Sequence, residues 1–368
     1  MSFASRKAAV VRAAASAAVG ADASLRDSAL LITHLPDVRY MCGFTGSNAA
    51  LVLLNNRMVL FTDGRYTAQA REQVEGARVV IAKSALAQAC LWMEGRGATR
   101  CLFDPSQTTV EQLAGMRKSI SAKLRRGFFK PLAALVAQCR EIKDPAEIDS
   151  SRRAAQLGCN LYEHMLGFMA PVLTERQVAA ELEFAARLSG ADAMSFETIV
   201  ASGPRSSMPH GHATSAKLPR RGFVTLDFGV ILNGYCSDMT RTVHLGRASV
   251  EERDAYDAVL EAQNAAVAAV APGVACGDVD EAARSVLRRR KLDKFFTHST
   301  GHGVGLEIHE GPRLAVGQHQ KLEPGMVITI EPGIYMPGRF GIRIEDMVLV
   351  TSTGHEVLTP SVKAWTEL

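Results

Sequence analysis

No run of apolar residues in this sequence approaches the ~20 needed to cross a bilayer as a helix, so a membrane-spanning role is not expected. No CxxC pair and no zinc-like spacing occur among the seven cysteines (Cys42, Cys90, Cys101, Cys139, Cys159, Cys236 and Cys276). An odd, scattered set of this kind is what a reduced, cytoplasmic chain shows, not a disulfide scaffold. An excess of one charge is missing too: 42 Lys and Arg stand against 38 Asp and Glu, a net charge of +4. The short basic runs Lys123 to Arg126 and Arg288 to Lys291 read as solvated helix ends, where cations suit the helix dipole, and no nucleic-acid partner is expected. A phosphate loop is also lacking. Gly301, Gly303 and Gly305 are spaced like one, but no Lys-Ser/Thr ending follows them.

What is present is an ordinary globular composition, 47% hydrophobic and 22% charged over 368 residues, long enough for two domains. Residues Met1 to Ala21 carry three basic and no acidic side chains. They lack a secretory core, and the expectation is a first structural helix running without a break into a strand at Ala29 to Ile32, in place of a transit peptide. Two apolar stretches, Ala49 to Leu54 and Arg57 to Thr62, flank Asn55-Asn56 and predict a hairpin, because Asn tolerates positive φ. Asp63 onward enters a helix, and strands at Arg78 to Ala82 and Thr99 to Phe103 alternate with helices to about residue 135. Residues 1–135 are therefore expected to form a small mixed-sheet domain and 136–368 a second domain. Pro145 suits the first turn of a long helix at the junction. Thr174-x-x-Gln177 and Ser249-x-x-Glu252 are capping boxes that open two more, the first of these ending at Gly190.

The second domain holds two segments built alike, roughly a hundred residues apart: VTLDFGVILNGYCSDMTRTVHL (Val224 to Leu245) and VITIEPGIYMPGRFGIRIEDMVLV (Val327 to Val350). Each starts with an apolar run ending in an acid two residues before a glycine, Asp227 and then Glu331. Each turns and returns to a second acid, Asp238 and then Glu345. Helical segments feed each hairpin, so the domain reads as helix-then-hairpin, done twice. Hairpins paired face to face would gather four carboxylates, which repel and raise one another's pKa unless cations neutralise them. Asp227 and Glu331 also end apolar strands, where an unpaired charge is unfavourable. His302, between glycines in GHGVGLEIHE (Gly301 to Glu310), adds an imidazole. One nitrogen with four carboxylates is an oxygen-rich donor set that favours Mn, Co or Zn over copper or an iron–sulfur cluster.

The residues DFG-x4-GYCSDMTRT, GHGVGLEIHE, EPGIY and GIRIED resemble those of the pita-bread metallopeptidases, in particular the Xaa-Pro branch of aminopeptidase P and prolidase. The pieces YMCGFTGSN and TDGRY resemble a creatinase/prolidase-type N-terminal domain. The resemblance implies an α/β (α+β) chain whose catalytic domain is a pseudo-twofold antiparallel sheet cupped by helices. It implies two divalent ions, manganese favoured, held by Asp227, Asp238, His302, Glu331 and Glu345, with Asp238 and Glu345 bridging. A hydroxide between the ions would attack, and Glu331 would carry its proton to the leaving proline nitrogen.

By the same resemblance His210 donates to the substrate carbonyl region and His309 supports the tetrahedral intermediate. His298, Tyr335 and Arg343 form a shelf for the proline ring, although Arg343 could instead neutralise carboxylate charge. Thr240 could hydrogen-bond a ligand carboxylate. His212, His244, His319 and His355 are read as bystanders. The implied activity is removal of an N-terminal residue that precedes proline, with a homodimer expected. A dipeptide-restricted prolidase, a creatinase-like C–N hydrolase and a non-catalytic peptide-binding relative are the alternatives.

Overall fold

The computed structural model describes residues 2–18, 27–132 and 134–368. They divide into two compact units, Met1–Arg140 and Glu141–Leu368. The expected unbroken passage from the first helix into the first strand falls on residues 19–26, outside the described residues.

In the first unit the elements run α1 (Phe3–Ala18), β1 (Ser28–Ile32), α2 (Leu35–Cys42), β2 (Ala50–Leu54), β3 (Arg57–Thr62), α3 (Thr67–Gln73), β4 (Arg78–Ile81), α4 (Ala85–Gly95), β5 (Arg100–Phe103), α5 (Val110–Ser119), β6 (Phe129–Pro131) and α6 (Leu135–Arg140). The strands form a six-stranded sheet in the order β4-β3-β2-β1-β5-β6, with antiparallel pairing of β2 to β1 and β3 and parallel pairing elsewhere. Asn55 and Asn56 take positive φ at the β2–β3 turn, as their residue type allows. One sheet face (Leu31, Val52, Phe61 and Phe103) packs on Ala89, Cys90 and Met93 of α4. Helix α6 belongs with this unit, so the division falls at Arg140, not at residue 135.

The second unit begins with α7 (Pro145–Phe168), capped by Asp144 and Glu147 with Pro145 in its first turn. Then come α8 (Glu175–Leu188), β7 (Ala193–Met194), β8 (Ile199–Ser202), β9 (Gly222–Phe228), β10 (Val230–Leu232), β11 (Tyr235–Cys236) and β12 (Met239–Leu245). The second half repeats the plan: α9 (Val250–Ala269), α10 (Cys276–Arg289), β13 (Gly301–Gly303), β14 (Glu310–Leu314), β15 (Val327–Ile330), β16 (Gly333–Met336), β17 (Phe340–Arg343), β18 (Asp346–Val350) and β19 (His355–Val357). Both expected capping boxes are formed, by Thr174 with Gln177 and by Ser249 with Glu252.

The correspondence extends to pairing. In the first half the order is β12-β9-β8, with β10 and β11 between β9 and β12 in sequence; in the second, β18-β15-β13 within the sheet β14-β13-β15-β18-β19, with β16 and β17 between β15 and β18 in sequence. Side chains alternate across a strand, and this sets which residues meet. Val224, Leu226 and Phe228 of β9 join Met239 and Val243 of β12 against α7 and α8. Ile328 and Ile330 of β15 join Val348 and Val350 of β18 against α9 and α10. The opposite parity carries Thr225, Asp227, Thr240 and Thr242 toward the other half. There the Thr242 hydroxyl donates to the Arg343 carbonyl at 2.9 Å.

Arg241, buried on β12, binds Asp346 at 2.8 Å and the carbonyls of Thr359 and Ser361. Lys363 reaches the other oxygen of Asp346 at 2.6 Å. This buried pair ties both halves to the C-terminal segment.

Gly301, beside His302, is a point of close approach: a Cβ there would sit 1.9 Å from the Thr329 carbonyl oxygen. Gly301→Ala is expected to lower Tm by roughly 5 °C in calorimetry. Gly354→Ala, whose Cβ would meet nothing within 4 Å, should leave it within about a degree.

Candidate metal centre

The four acids of the repeated hairpins sit where the outer strands approach the middle of the unit. Asp227 lies near the end of β9, opposite Thr240 in the ladder. Asp238 immediately precedes β12, Glu331 immediately follows β15, and Glu345 immediately precedes β18. Two backbone bonds hold the second pair: the Glu331 N–H donates to the Thr300 carbonyl at 2.7 Å, and the Glu345 N–H to the Thr240 carbonyl at 3.1 Å. His302, on β13, has Nδ1 3.0 Å from its neighbour's carbonyl, Gly303. With the proton on Nδ1, the Nε2 lone pair faces Asp238 at 3.6 Å and Glu331 at 3.5 Å. One ligand atom each from Asp238, His302 and Glu345 lies within 4.8 Å of the others.

One oxygen of three of the four carboxylates is held by a protein donor. Arg343 donates to Asp227 Oδ2 at 2.5 Å, Thr240 to Glu345 Oε2 at 2.8 Å, and Thr329 to Glu331 Oε1 at 3.2 Å. Asp227 Oδ1, Asp238 Oδ1 and Glu345 Oε1 are buried with no hydrogen-bond partner among the described residues. Burial, reinforced by the neighbouring acids, drives Asp238 and Glu345 well above the usual carboxylate range and brings Glu331 to about 8. Burial also pushes His302 down to about 4, so its imidazole is neutral at pH 7. Orphaned carboxylate oxygens and a neutral imidazole converging on one point are the donor set of hard divalent cations, and these residues fit a metal.

A cleft of about 520 Å³ opens on this centre. His210, His298, His309 and Arg343 line it together with Asp227, Asp238, His302, Glu331 and Glu345. The His309 ring packs edge-on against His302, with centroids 4.5 Å apart. Tyr335 is set behind the wall, its hydroxyl 3.0 Å from His298 Nε2 and accepting from Arg343 Nη1 at 2.6 Å. Burial pushes its hydroxyl up to about 12 and the His298 imidazole down to about 4, so both are neutral. The contacts of Arg343 run to Asp227, Tyr335, Thr240 and the Pro209 carbonyl. These bonds tie Arg343 both to a carboxylate and to Tyr335 of the expected shelf.

Sequence reasoning missed several cleft residues. His212, read as a bystander, lines the cleft with Nδ1 3.1 Å from Glu197; its place two residues after His210 on one loop was the available signal. Phe196, Glu197, Ile308 and Arg313 also line it, without a motif to mark them. Arg313 stands opposite His302 in the β13–β14 ladder. Glu310 pairs with the buried Lys143 at 3.0 Å.

The raised carboxylates make a linked prediction. A folded-state pKa above the unfolded value, about 8 against 4.5 for Glu331, means the metal-free fold holds extra protons between those pH values. Its stability is then full below about pH 4.5 and declines as pH rises toward 8. A divalent cation replaces those protons. Differential scanning fluorimetry of chelated protein should show Tm falling from pH 5 to 8, and added manganese should raise Tm more at pH 8 than at pH 5. A pH-independent response would contradict the linkage.

Comparison with known proteins agrees with this geometry. Residues 149–352 match metallopeptidase family M24, and residues 23–142 match the creatinase/prolidase N-terminal domain. An uncharacterised peptidase of Bacillus subtilis, YqhT, is 41% identical over 335 residues, spanning 91% of this chain and 94% of its own. A solved structure of an Xaa-Pro dipeptidase from Bacillus anthracis is similar at TM-score 0.91 and 38% identity, covering 98% of this chain and 100% of that one. An X-Pro aminopeptidase from Thermotoga maritima is similar at TM-score 0.85 and 32% identity, covering 93% and 97%. The repeated helix–hairpin unit is thus a pita-bread catalytic domain, preceded by a mixed α/β creatinase-type domain. The chain belongs to metallopeptidase family M24.

Proposed function

We propose that this protein is a dinuclear metal-dependent exopeptidase that hydrolyses the bond between an N-terminal residue and a following proline. The observation that carries the reading is the convergence of Asp227, Asp238, His302, Glu331 and Glu345 in one cleft, with buried carboxylate oxygens left unbonded. The Xaa-Pro names of the similar solved structures support the substrate class. These five residues would hold two divalent ions, manganese first and cobalt or zinc as alternatives, supplying Lewis acidity toward the scissile carbonyl and toward an attacking water.

The chain's own groups then do the following. Glu331, oriented by Thr329, accepts a proton from the attacking water and returns it to the proline nitrogen, a tertiary amide that leaves poorly until protonated. His210, on the cleft wall, donates a hydrogen bond to the carbonyl region of the bound substrate, and His309, beside it on the wall, supports the carbonyl oxygen as negative charge develops there. His298, steadied by Tyr335, offers a flat neutral face to the pyrrolidine ring, which has no N–H to satisfy. Arg343 pairs with Asp227 and holds it in place. A homodimer and a cytoplasmic setting accompany this reading.

Arg313 favours a second reading on the length of the substrate. It lines the cleft as a long cation opposite His302, where a dipeptide would present its free carboxylate. On that reading the protein is a dipeptidase.

A panel of Ala-Pro, Ala-Pro-Ala and Ala-Ala peptides decides the class. Cleavage of the proline peptides is expected, abolished by chelation and restored by manganese or cobalt; metal-loaded protein that turns over neither would eliminate the peptidase assignment. Glu331→Gln should lower kcat by at least about a hundredfold, with little change in KM. Arg313→Ala should raise KM for Ala-Pro about tenfold and for Ala-Pro-Ala much less if the dipeptidase reading is right. Equal effects on the two substrates would remove it.

A further inference from the structure

The segment between β8 and β9 that carries Pro209, His210 and His212 to the cleft is held at its base by a buried carboxylate outside the cleft. Glu175, the first residue of α8, is 0% exposed. Its Oε1 accepts from the Ser202 N–H and from the Ser202 hydroxyl, both at 2.9 Å. Its Oε2 accepts from the Thr214 N–H at 3.0 Å and from the Thr214 hydroxyl at 2.6 Å. Arg205, inside the loop, supplies the counter-charge through Nε at 3.2 Å, and its Nη2 donates to the His212 carbonyl at 2.7 Å. Ser202 is the last residue of β8 and Thr214 lies where the chain returns, so one side chain closes both ends of the loop. The first turn of α8 adds a favourable field for the negative charge.

We propose that Glu175 is a positioning residue: it fixes the 203–213 loop so that the loop's cleft-facing groups, His210 foremost, stand ready to bind substrate. This rests on the reading of His210 as a substrate-binding group. The chemistry requires a carboxylate, because only an ionised acid offers acceptors to all of these donors at once; an amide turns an N–H₂ toward some of them. The loop's other anchors lie elsewhere. Gly341 donates its N–H to the Ser206 hydroxyl at 2.8 Å, and Arg343 reaches the Pro209 carbonyl at 3.2 Å. They hold its middle; at the returning end His212 pairs with Glu197 and bridges Ile199, and the Arg176 N–H donates to the Thr214 carbonyl at 3.0 Å, while the Glu175 side chain binds both Ser202 and Thr214.

The test uses the full chain with Glu175→Ala, His210→Ala and the double variant. Hydrogen exchange across residues 203–213 is read without substrate, and KM and kcat for Ala-Pro are measured with manganese. Glu175→Ala should speed exchange in the loop and raise KM about tenfold, with kcat changed less than about twofold. In the His210→Ala background it should raise KM by less than about twofold more. Unchanged exchange, unchanged KM, or a full additional tenfold in an already impaired His210→Ala background would overturn the proposal. Should His210→Ala be silent while Glu175→Ala still raises KM, the histidine's assigned role falls and the loop's positioning by Glu175 stands. If no form of the protein cleaves Ala-Pro, the peptidase reading fails. Glu175→Gln and Thr214→Val, milder losses of the same bonds, should shift exchange and KM in the same direction and keep the question answerable should Glu175→Ala not fold.

Discussion

Like charges held close together in a poorly solvated cleft govern this molecule. At about 4 Å and an effective dielectric near 20, two carboxylates repel by about 4 kcal/mol, and the acids of this centre are flanked by one another on more than one side. Asp238 and Glu345 respond by moving far above their ordinary range, with burial the leading cause. The surroundings relieve only part of this. Arg343 neutralises Asp227, while threonine hydroxyls steady Glu345 and Glu331. What is left, buried oxygens without partners, is a demand for cations built into the fold. Metal occupancy and folding stability are therefore expected to be coupled.

The repeat explains how such an unfavourable cluster is assembled. Each half places one acid where its outgoing strand ends and another where the returning strand begins, so two copies of one local plan supply all four carboxylates. The cores that support them lie on the opposite faces of the same strands, against α7 and α8 in one half and α9 and α10 in the other. Hydrophobic burial on one side thus offsets repulsion on the other. The copies are alike in backbone but not in surroundings. Asp227 has an arginine, Glu345 and Glu331 have hydroxyls, and Asp238 has neither, which lets related positions take different chemical parts.

The walls of the cleft do not follow the repeat. They come from the loop between β8 and β9 and from the stretch from His298 to Arg313. Such loops on a rigid scaffold are where specificity is commonly set. Buried groups are bonded to these walls: Glu175 at the base of one, and the Lys143–Glu310 pair beside the other.

Much of this was legible in the chain itself. The Asn-Asn hairpin, the capping boxes, Pro145 and the duplicated acid-bearing segments rest on local rules of turn chemistry, capping and alternation, which act over a few residues and need no knowledge of the rest. The five residues that meet in the cleft were legible because metal ligation demands particular residue types, and Thr240 because it sits close to one of them. Arg313 and the boundary at Arg140 were not. Their positions depend on which distant elements pack together, and nothing in an isolated arginine records its neighbours across a sheet. The same holds for Glu175, whose partners lie 27 to 39 residues away. Sequence determined the kinds of atoms available and the local conformations that carry them. Tertiary structure alone decided which of those atoms lost their water, because desolvation belongs to the packed assembly and not to any one residue.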